Sequence, residues 1–259
     1  MSAYRYFELT SDELRERIKS SDFVILPVGS IEQHSYHLPV GTDILIAEKL
    51  AEVIVKEAPK HDLSVLLMPP IYYGFSEEHV EFPGTISIKP NVFIDYVYNV
   101  CASLAKNGAK RIFIVNGHGG NLSALDIVSR RIGTDFGIFV FIFFPMIKET
   151  GMLLESEMGG IGHAGEVETS LMLYLYPGLV RKERMKKFLP KQLDSIGTDG
   201  RKRTTVRFGW FRLKETLTDY GVIGDPTKAT QQKGEKIFQM LVNTTIKALL
   251  ELKSLENLK

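Results

Sequence analysis

The stretch FVILPVGSIEQHSYHLPVGTD, residues 23–43, makes both the fold and the chemistry of this chain legible. Phe23–Val28 is a short apolar run with β-branched members, which predicts a strand buried on both faces. Its end is abrupt. Gly29 opens a loop carrying Glu32, Gln33, His34 and His37, and Asp43 follows just ahead of Ile44–Val55, where apolar residues recur at helical spacing. In open parallel sheets ligands bind beyond the carboxyl ends of the strands, so carboxylates and imidazoles gathered there mark a candidate site.

The alternation continues outward. Upstream, Thr10 and Glu13 have capping-box spacing ahead of a short amphipathic helix. Downstream, Ser64–Met68 reads as a second strand, Pro90 as the first turn of a helix reaching about Asn107 with Gly108 as terminator, and Arg111–Val115 as a third strand. Asn121 is placed to cap a further helix ending near Gly133, and Phe139–Phe144 is a fourth, almost wholly apolar strand. A helix from Glu166 to Tyr176 stops at Pro177-Gly178, and Asp225-Pro226 marks the start of a long C-terminal helix. Arg201–Val222 suits extended or loop structure. Apolar strands alternating with helices predict an α/β fold, its mainly parallel sheet covered on both faces. No repeat, low-complexity tract or linker divides residues 1–259, so a single domain is expected.

Composition narrows the partners. The 259 residues, 44% hydrophobic, can bury a substantial core. With 32 basic and 31 acidic residues, no bulk charge draws the chain to nucleic acid or an anionic membrane. The basic run Arg181–Lys187 reads as a solvated face. The N-terminus has no apolar signal core, and no stretch approaches the roughly 18 apolar residues of a membrane span. The lone Cys101 cannot form an internal disulfide and reads as a buried, inert thiol. The expectation is a cytoplasmic protein acting on a small-molecule substrate, with neither nucleic acid nor membrane as partner.

Five of the six histidines lie just past the apolar runs: His34 and His37 after the first, His79 after the second, His118 after the third and His163 after the fourth. Carboxylates with imidazoles and no thiolate suit Zn²⁺, Mn²⁺ or Fe²⁺ in a catalytic site rather than a structural zinc cage. Glu32 and His34, two apart in a loop, can approach one centre from the same side of an extended backbone. Asp43 can supply a third ligand, and its two oxygens can bridge two metals. Ions so bridged would lower the pKa of a shared water and polarise a carbonyl, cleaving amides without a nucleophilic side chain. The glycines around His118 permit close approach; a hydrogen-bonded polar cluster without metal is the alternative reading.

The segments PVGSIEQHSYHLPVGTD, YGFSEEHVEFPGTISI, NGHGGN, HAGEVETSLML and GVIGDPTKAT resemble, in order, the successive signatures of the creatininase-like metal-dependent amidohydrolases. Together they span roughly residues 24 to 234. The resemblance implies a three-layer α/β/α sandwich, two divalent metal ions, a homo-oligomer of hexameric form, and hydrolysis of a non-peptide amide or formamide. By that pattern Glu32, His34, Asp43 and His118 are ligands, with Asp43 as the bridge. Creatinine-hydrolysing members carry a ligand Glu two residues after the histidine, where this chain has Gly120, so the last ligand must come from Glu168 or Glu166, with Glu168 preferred. Ser35 stands where many members have glycine. Tryptophans line the creatinine pocket, whereas the single Trp210 lies elsewhere, which argues against creatinine.

His163 is the candidate proton shuttle and Glu166 a candidate assistant in proton transfer. His37 and His79 read as structural or ligand-orienting histidines. Ser76 and Glu78 can contact substrate or satisfy buried backbone groups, and Tyr73 can wall the pocket. Within the family it resembles, deformylases of formylamino-pyrimidine nucleotides share the NGHGGN form, so the resemblance implies such a deformylase first, with the substrate phosphate met by Arg201, Lys202 and Arg203 or by the helix start near Asn121. The rivals are creatinine hydrolysis, a peptidase trimming a modified peptide, and a non-catalytic assembly member of the fold. A dinucleotide binder is disfavoured, because Gly117, Gly119 and Gly120 lack GxGxxG spacing.

Overall fold

The computed structural model describes residues 4–146, 148–156, 162–189, 214 and 218–255. Four strands pair in parallel in the order β2-β1-β3-β4, with β1 at Phe23–Val28, β2 at Val65–Leu67, β3 at Arg111–Asn116 and β4 at Phe139–Phe143. The two central strands are buried almost throughout, while β4, an edge strand, is only half-buried. Period-two alternation splits their side chains between two cores. Phe23, Ile25, Phe113 and Val115 meet α2 (Thr42–Glu57), α5 (Glu166–Leu175) and α6 (Gln231–Ser254) on one face. Val24, Leu26, Ile112 and Ile114 meet α1 (Ser11–Ser20), α3 (Pro90–Lys106) and α4 (Leu122–Phe136) on the other. The result is the expected three-layer α/β/α arrangement. Cys101 is buried in the second core, where burial pushes its thiol up to about 12, so it is inert.

Most local signals act as read. Thr10 and Glu13 close a reciprocal capping box, and Gly108, at φ 101°, ends α3. Three readings are corrected. Asp225 caps only a short turn at Pro226–Lys228; the long helix begins at Gln231, where the Thr230 hydroxyl accepts from Lys233 N–H. Asn121 does not cap α4 with its side chain. Its amide instead accepts from Phe75 N–H at 2.9 Å and donates to Gly29 O at 3.0 Å, tying the three strand-end loops together. The same helix passes Gly133 and stops at Phe136, because Gly137 takes the left-handed conformation that terminates it.

Among the described residues no helix is long and apolar enough to cross a membrane. Arg201, Lys202, Arg203 and Trp210 lie outside the described residues, so the phosphate-binding reading on that segment and the tryptophan's place are not addressed by the structure.

Candidate metal centre

The loop after β1, the first turn of α2, the loop after β3 and the segment running into the first turn of α5 bring Glu32, His34, Asp43, His118, His163 and Glu168 into one group, buried except for the half-buried Glu168. Within it two sets of three potential ligands, Glu32–Asp43–His118 and His34–Asp43–Glu168, share the Asp43 carboxylate. His118 Nδ1 lies 3.0 Å from Glu32 Oε2 and 3.4 Å from Asp43 Oδ2, and His34 Nε2 lies 3.1 Å from Asp43 Oδ1. Glu168 Oε2 is farther out, 4.0 Å from His34 Nε2. Ions with bonds of about 2.1 Å separate neighbouring ligand atoms by roughly 3.0–3.4 Å. The three shorter separations match that spacing.

Four of the five ligand candidates, all but Asp43, are held in place by hydrogen bonds from or to neighbouring groups. His34 Nδ1 donates to Glu32 O at 3.2 Å and His118 Nε2 to Phe75 O at 2.9 Å, which turns His34 Nε2 and His118 Nδ1 inward toward the carboxylates. Ala164 N–H donates to Glu168 Oε2 at 2.6 Å. The Ser76 hydroxyl donates to Glu32 Oε2 at 2.5 Å and is itself hydrogen-bonded by Ser30. Among the described residues, Glu32 Oε1, His34 Nε2 and Asp43 Oδ2 are buried polar atoms with no hydrogen-bond partner. Such atoms are costly to bury unless something satisfies them, and a cation placed among them would do so. The donor set therefore fits divalent metal.

The electrostatics agree. Burial drives imidazoles down, yet Asp43 carries His34 up to about 9, and Glu32 with Asp43 carries His118 up to about 10. Burial raises Glu32, but His118 and His79 outweigh it and hold the carboxyl well below its usual range. Burial pushes Glu168 up to about 7 against the pull of His34, and burial with Glu32 raises Asp43. Without a cation, protons gather at the positions a cation would fill.

His163 sits against the group differently. Its Nε2 donates to Gln33 O at 2.6 Å, leaving Nδ1 bare at 3.6 Å from Glu32 Oε1, and its ring lies between those of His34 and His79, with centroids 4.4 and 4.3 Å away. Burial and the neighbouring imidazoles of His79 and His34 hold it well below the ordinary histidine range, so it is neutral.

Several candidates fall elsewhere. Glu166 turns away from the group, and its buried carboxylate accepts from Glu155 N–H, from Ser156 N–H at 2.7 Å and from Lys233 Nζ at 2.5 Å. Its oxygens are used by this structural clasp, which removes the proton-transfer assignment. Ser76 is wholly buried and its one proton goes to Glu32, so it orients a ligand candidate and does not offer itself to substrate. Glu78 is nearly buried, with Oε1 3.7 Å from His118 Nε2, while Tyr73 is exposed. His37 hydrogen-bonds Thr169 of α5 at 2.9 Å, a structural contact.

Gly120 has a clear reason. A Cβ there would lie 2.3 Å from His118 Nε2 and 2.7 Å from Phe75 O, so no ligand side chain can be carried at that position in this arrangement. Ser35 holds φ 58°, the left-handed conformation that glycine would adopt freely. His79, read as a structural or ligand-orienting histidine, is placed beside the cluster, and one surface feature escaped the sequence reading. His79 is buried with Nε2 3.4 Å from Glu32 Oε1, and Tyr36, Tyr220 and Lys186 stack in series at the surface, the Tyr rings 6.4 Å apart and Lys186 Nζ 4.0 Å from the Tyr220 ring. A contact between residues 36 and 220 is not local, so no sequence pattern signals it.

Known proteins share this framework. A mycofactocin precursor peptide peptidase from Mycobacterium tuberculosis is 33% identical over 249 residues, covering 93% of this chain and 89% of that protein. The creatinine amidohydrolase of Pseudomonas putida is 27% identical over 264 residues, 94% and 95% of the two chains. A more distant relative, a 2-amino-5-formylamino-6-ribosylaminopyrimidin-4(3H)-one 5'-monophosphate deformylase from Methanocaldococcus infernus, is 23% identical over 224 residues, 86% and 85% of the two chains. A solved manganese creatininase superposes with a TM-score of 0.75 at 26% identity, covering 96% of this chain and 98% of that one. The family model for creatininase, creatinine amidohydrolase, matches residues 7–249, and the chain belongs to the creatininase family.

Proposed function

We propose that the protein is a metal-dependent amidohydrolase that cleaves a C–N bond with activated water. The carrying observation is the buried group in which Glu32 Oε1, His34 Nε2 and Asp43 Oδ2 lack hydrogen-bond partners while two ligand sets share Asp43. Glu32, Asp43 and His118 would hold one divalent ion and His34, Asp43 and Glu168 a second, with zinc, manganese or iron all compatible with carboxylate and imidazole donors. When bound, such ions acidify a water and polarise a substrate carbonyl. His163 then accepts the water's proton on its bare Nδ1 and returns it to the leaving nitrogen, held in register by its Nε2 bond to Gln33 O. Ser76 and the backbone carbonyls of Glu32 and Phe75 keep the carboxylate and imidazoles aimed.

Of the substrate readings, a terminal amide of a small modified peptide now has more support than a formamide, because the peptide peptidase is 33% identical and the deformylase 23%. The test is to load the purified protein with zinc or manganese and follow three reactions by mass spectrometry: release from short peptides, formate from a formylamino-pyrimidine nucleotide, and creatine from creatinine. Peptide release supports the preferred substrate, and formate in its place moves the assignment to a deformylase. A protein that binds no metal, or one that is loaded but cleaves none of these amides, sinks the hydrolase reading and favours a non-catalytic role.

A further inference from the structure

Gln33 lies between Glu32 and His34, yet its side chain reaches away from the cluster and is 4% exposed. The orientation of its amide is fixed by partners that have only one role. Ser35 N–H can only donate, so the oxygen it meets at 2.8 Å is Oε1; Gly221 O can only accept, so the atom it meets at 2.9 Å is Nε2. The second Nε2 proton then points to His79 Nδ1 at 2.9 Å, and that nitrogen must accept. For a neutral imidazole the remaining proton is on Nε2, the edge that faces Glu32 Oε1 at 3.4 Å.

The contact is tight from both sides. Gly221 holds φ 67°, and a Cβ on it would lie 1.9 Å from Gln33 Oε1, so the backbone of that loop closes directly on the amide. Two residues on, Ile223 exchanges both backbone hydrogen bonds with His163, at 2.9 and 2.8 Å. The His79 ring lies 4.3 Å from the His163 ring and 6.2 Å from that of His118. His79 thus lies buried against Glu32 but presents a proton where a ligand would need a lone pair.

We infer that Gln33 is a positioning residue: its amide imposes the Nε2–H tautomer on His79, which turns the protonated edge of that imidazole toward Glu32 and keeps it out of the metal's ligand set. This rests on the metal-hydrolase reading for its catalytic consequence, but the tautomer itself does not. A Gln33 that only pinned the loop would leave the protonated nitrogen of His79 unaffected by the polarity of its partner. Gln33→Glu separates the two cases, because a carboxylate keeps the shape and the Ser35 contact but can only accept, and so requires a proton on Nδ1.

The experiment is long-range ¹H–¹⁵N correlation NMR on full-length protein labelled at histidine, metal-free and zinc-loaded, with the His79 signals identified by their loss in His79→Asn. Wild type is expected to show a protonated Nε2 and a bare Nδ1. In Gln33→Glu, Nδ1 gains a proton, with or without loss of the one on Nε2, and the zinc-loaded variant turns over about 10–100-fold more slowly. A wild-type spectrum with the proton on Nδ1 overturns the proposal without any variant, as does an unchanged His79 spectrum in a folded Gln33→Glu protein. Failure of the hydrolase reading would appear separately, as absent turnover in a wild type whose His79 spectrum is as expected.

Discussion

Replacing Lys233 by Met is expected to destabilise the fold while leaving the chemistry in place. Lys233 Nζ is 2.5 Å from Glu166 Oε1, and the Glu166 side chain is fully buried. Removing one member of a buried ion pair typically costs about 3–5 kcal/mol, because the other charge is stranded. Here the carboxylate keeps its bonds from Glu155 N–H at 3.0 Å and Ser156 N–H at 2.7 Å, so the lower end of that range, about 3 kcal/mol, is expected. For a chain of this size each kcal/mol lowers Tm by roughly 2–4 °C, giving a drop of about 6–12 °C. Glu166→Gln keeps the shape and should cost less, about 1–2 kcal/mol. The assay pairs thermal melts of both variants with metal content and with kcat on whichever amide the wild type cleaves. Metal content stays at the wild-type level and kcat within a few-fold of it. If Glu166 transferred protons, Glu166→Gln would instead lose roughly 10²–10⁴ in kcat. A loss of that size at unchanged Tm and metal content would refute the clasp, as would a Lys233→Met melt within about 2 °C of wild type.

Asp43→Asn should remove the carboxylate shared by both ligand sets, so metal analysis should show loss of both ions at once, where Glu168→Gln should lose at most one. His163→Asn should leave metal content intact and lower kcat by about 10²–10⁴; unchanged turnover would remove it as the proton carrier. Metal affinity should depend on pH with a definite sign. His34 and His118, raised from 6.5 to about 9 and about 10, must lose protons to bind, so affinity rises with pH toward those values and calorimetry in buffers of differing ionisation enthalpy should detect proton release. In the metal-free chain the contribution runs the other way, being complete below pH 6.5 and fading as pH rises through about 9–10. Metal binding without proton release at pH 7 would contradict both statements.

The layers of the fold were legible because each central strand is apolar on both faces, a pattern only a covered parallel sheet explains. The strand-end residues Glu32, His34, Asp43 and His118 could be picked out for the same reason: polar groups directly after such strands have one place to go. Helix boundaries near Asp225 and Asn121 were less legible. A capping side chain has several possible acceptors and donors, and distant loops decide which it meets.

The sequence alone determined the sheet, the two sets of helices that cover it, and the ring of carboxylates and imidazoles at the carboxyl ends, because these follow from periodicity and position along the chain. Tertiary structure decided between Glu166 and Glu168. Residues two apart on a helix point about 200° from one another, so only one of them can face His34, and the other is left to Lys233 across the packed helices. It also decided the part played by Gln33, whose side chain reaches residues 35, 79 and 221 while its backbone meets Thr85 and His163, and whose donor and acceptor roles exist only once those groups are brought together.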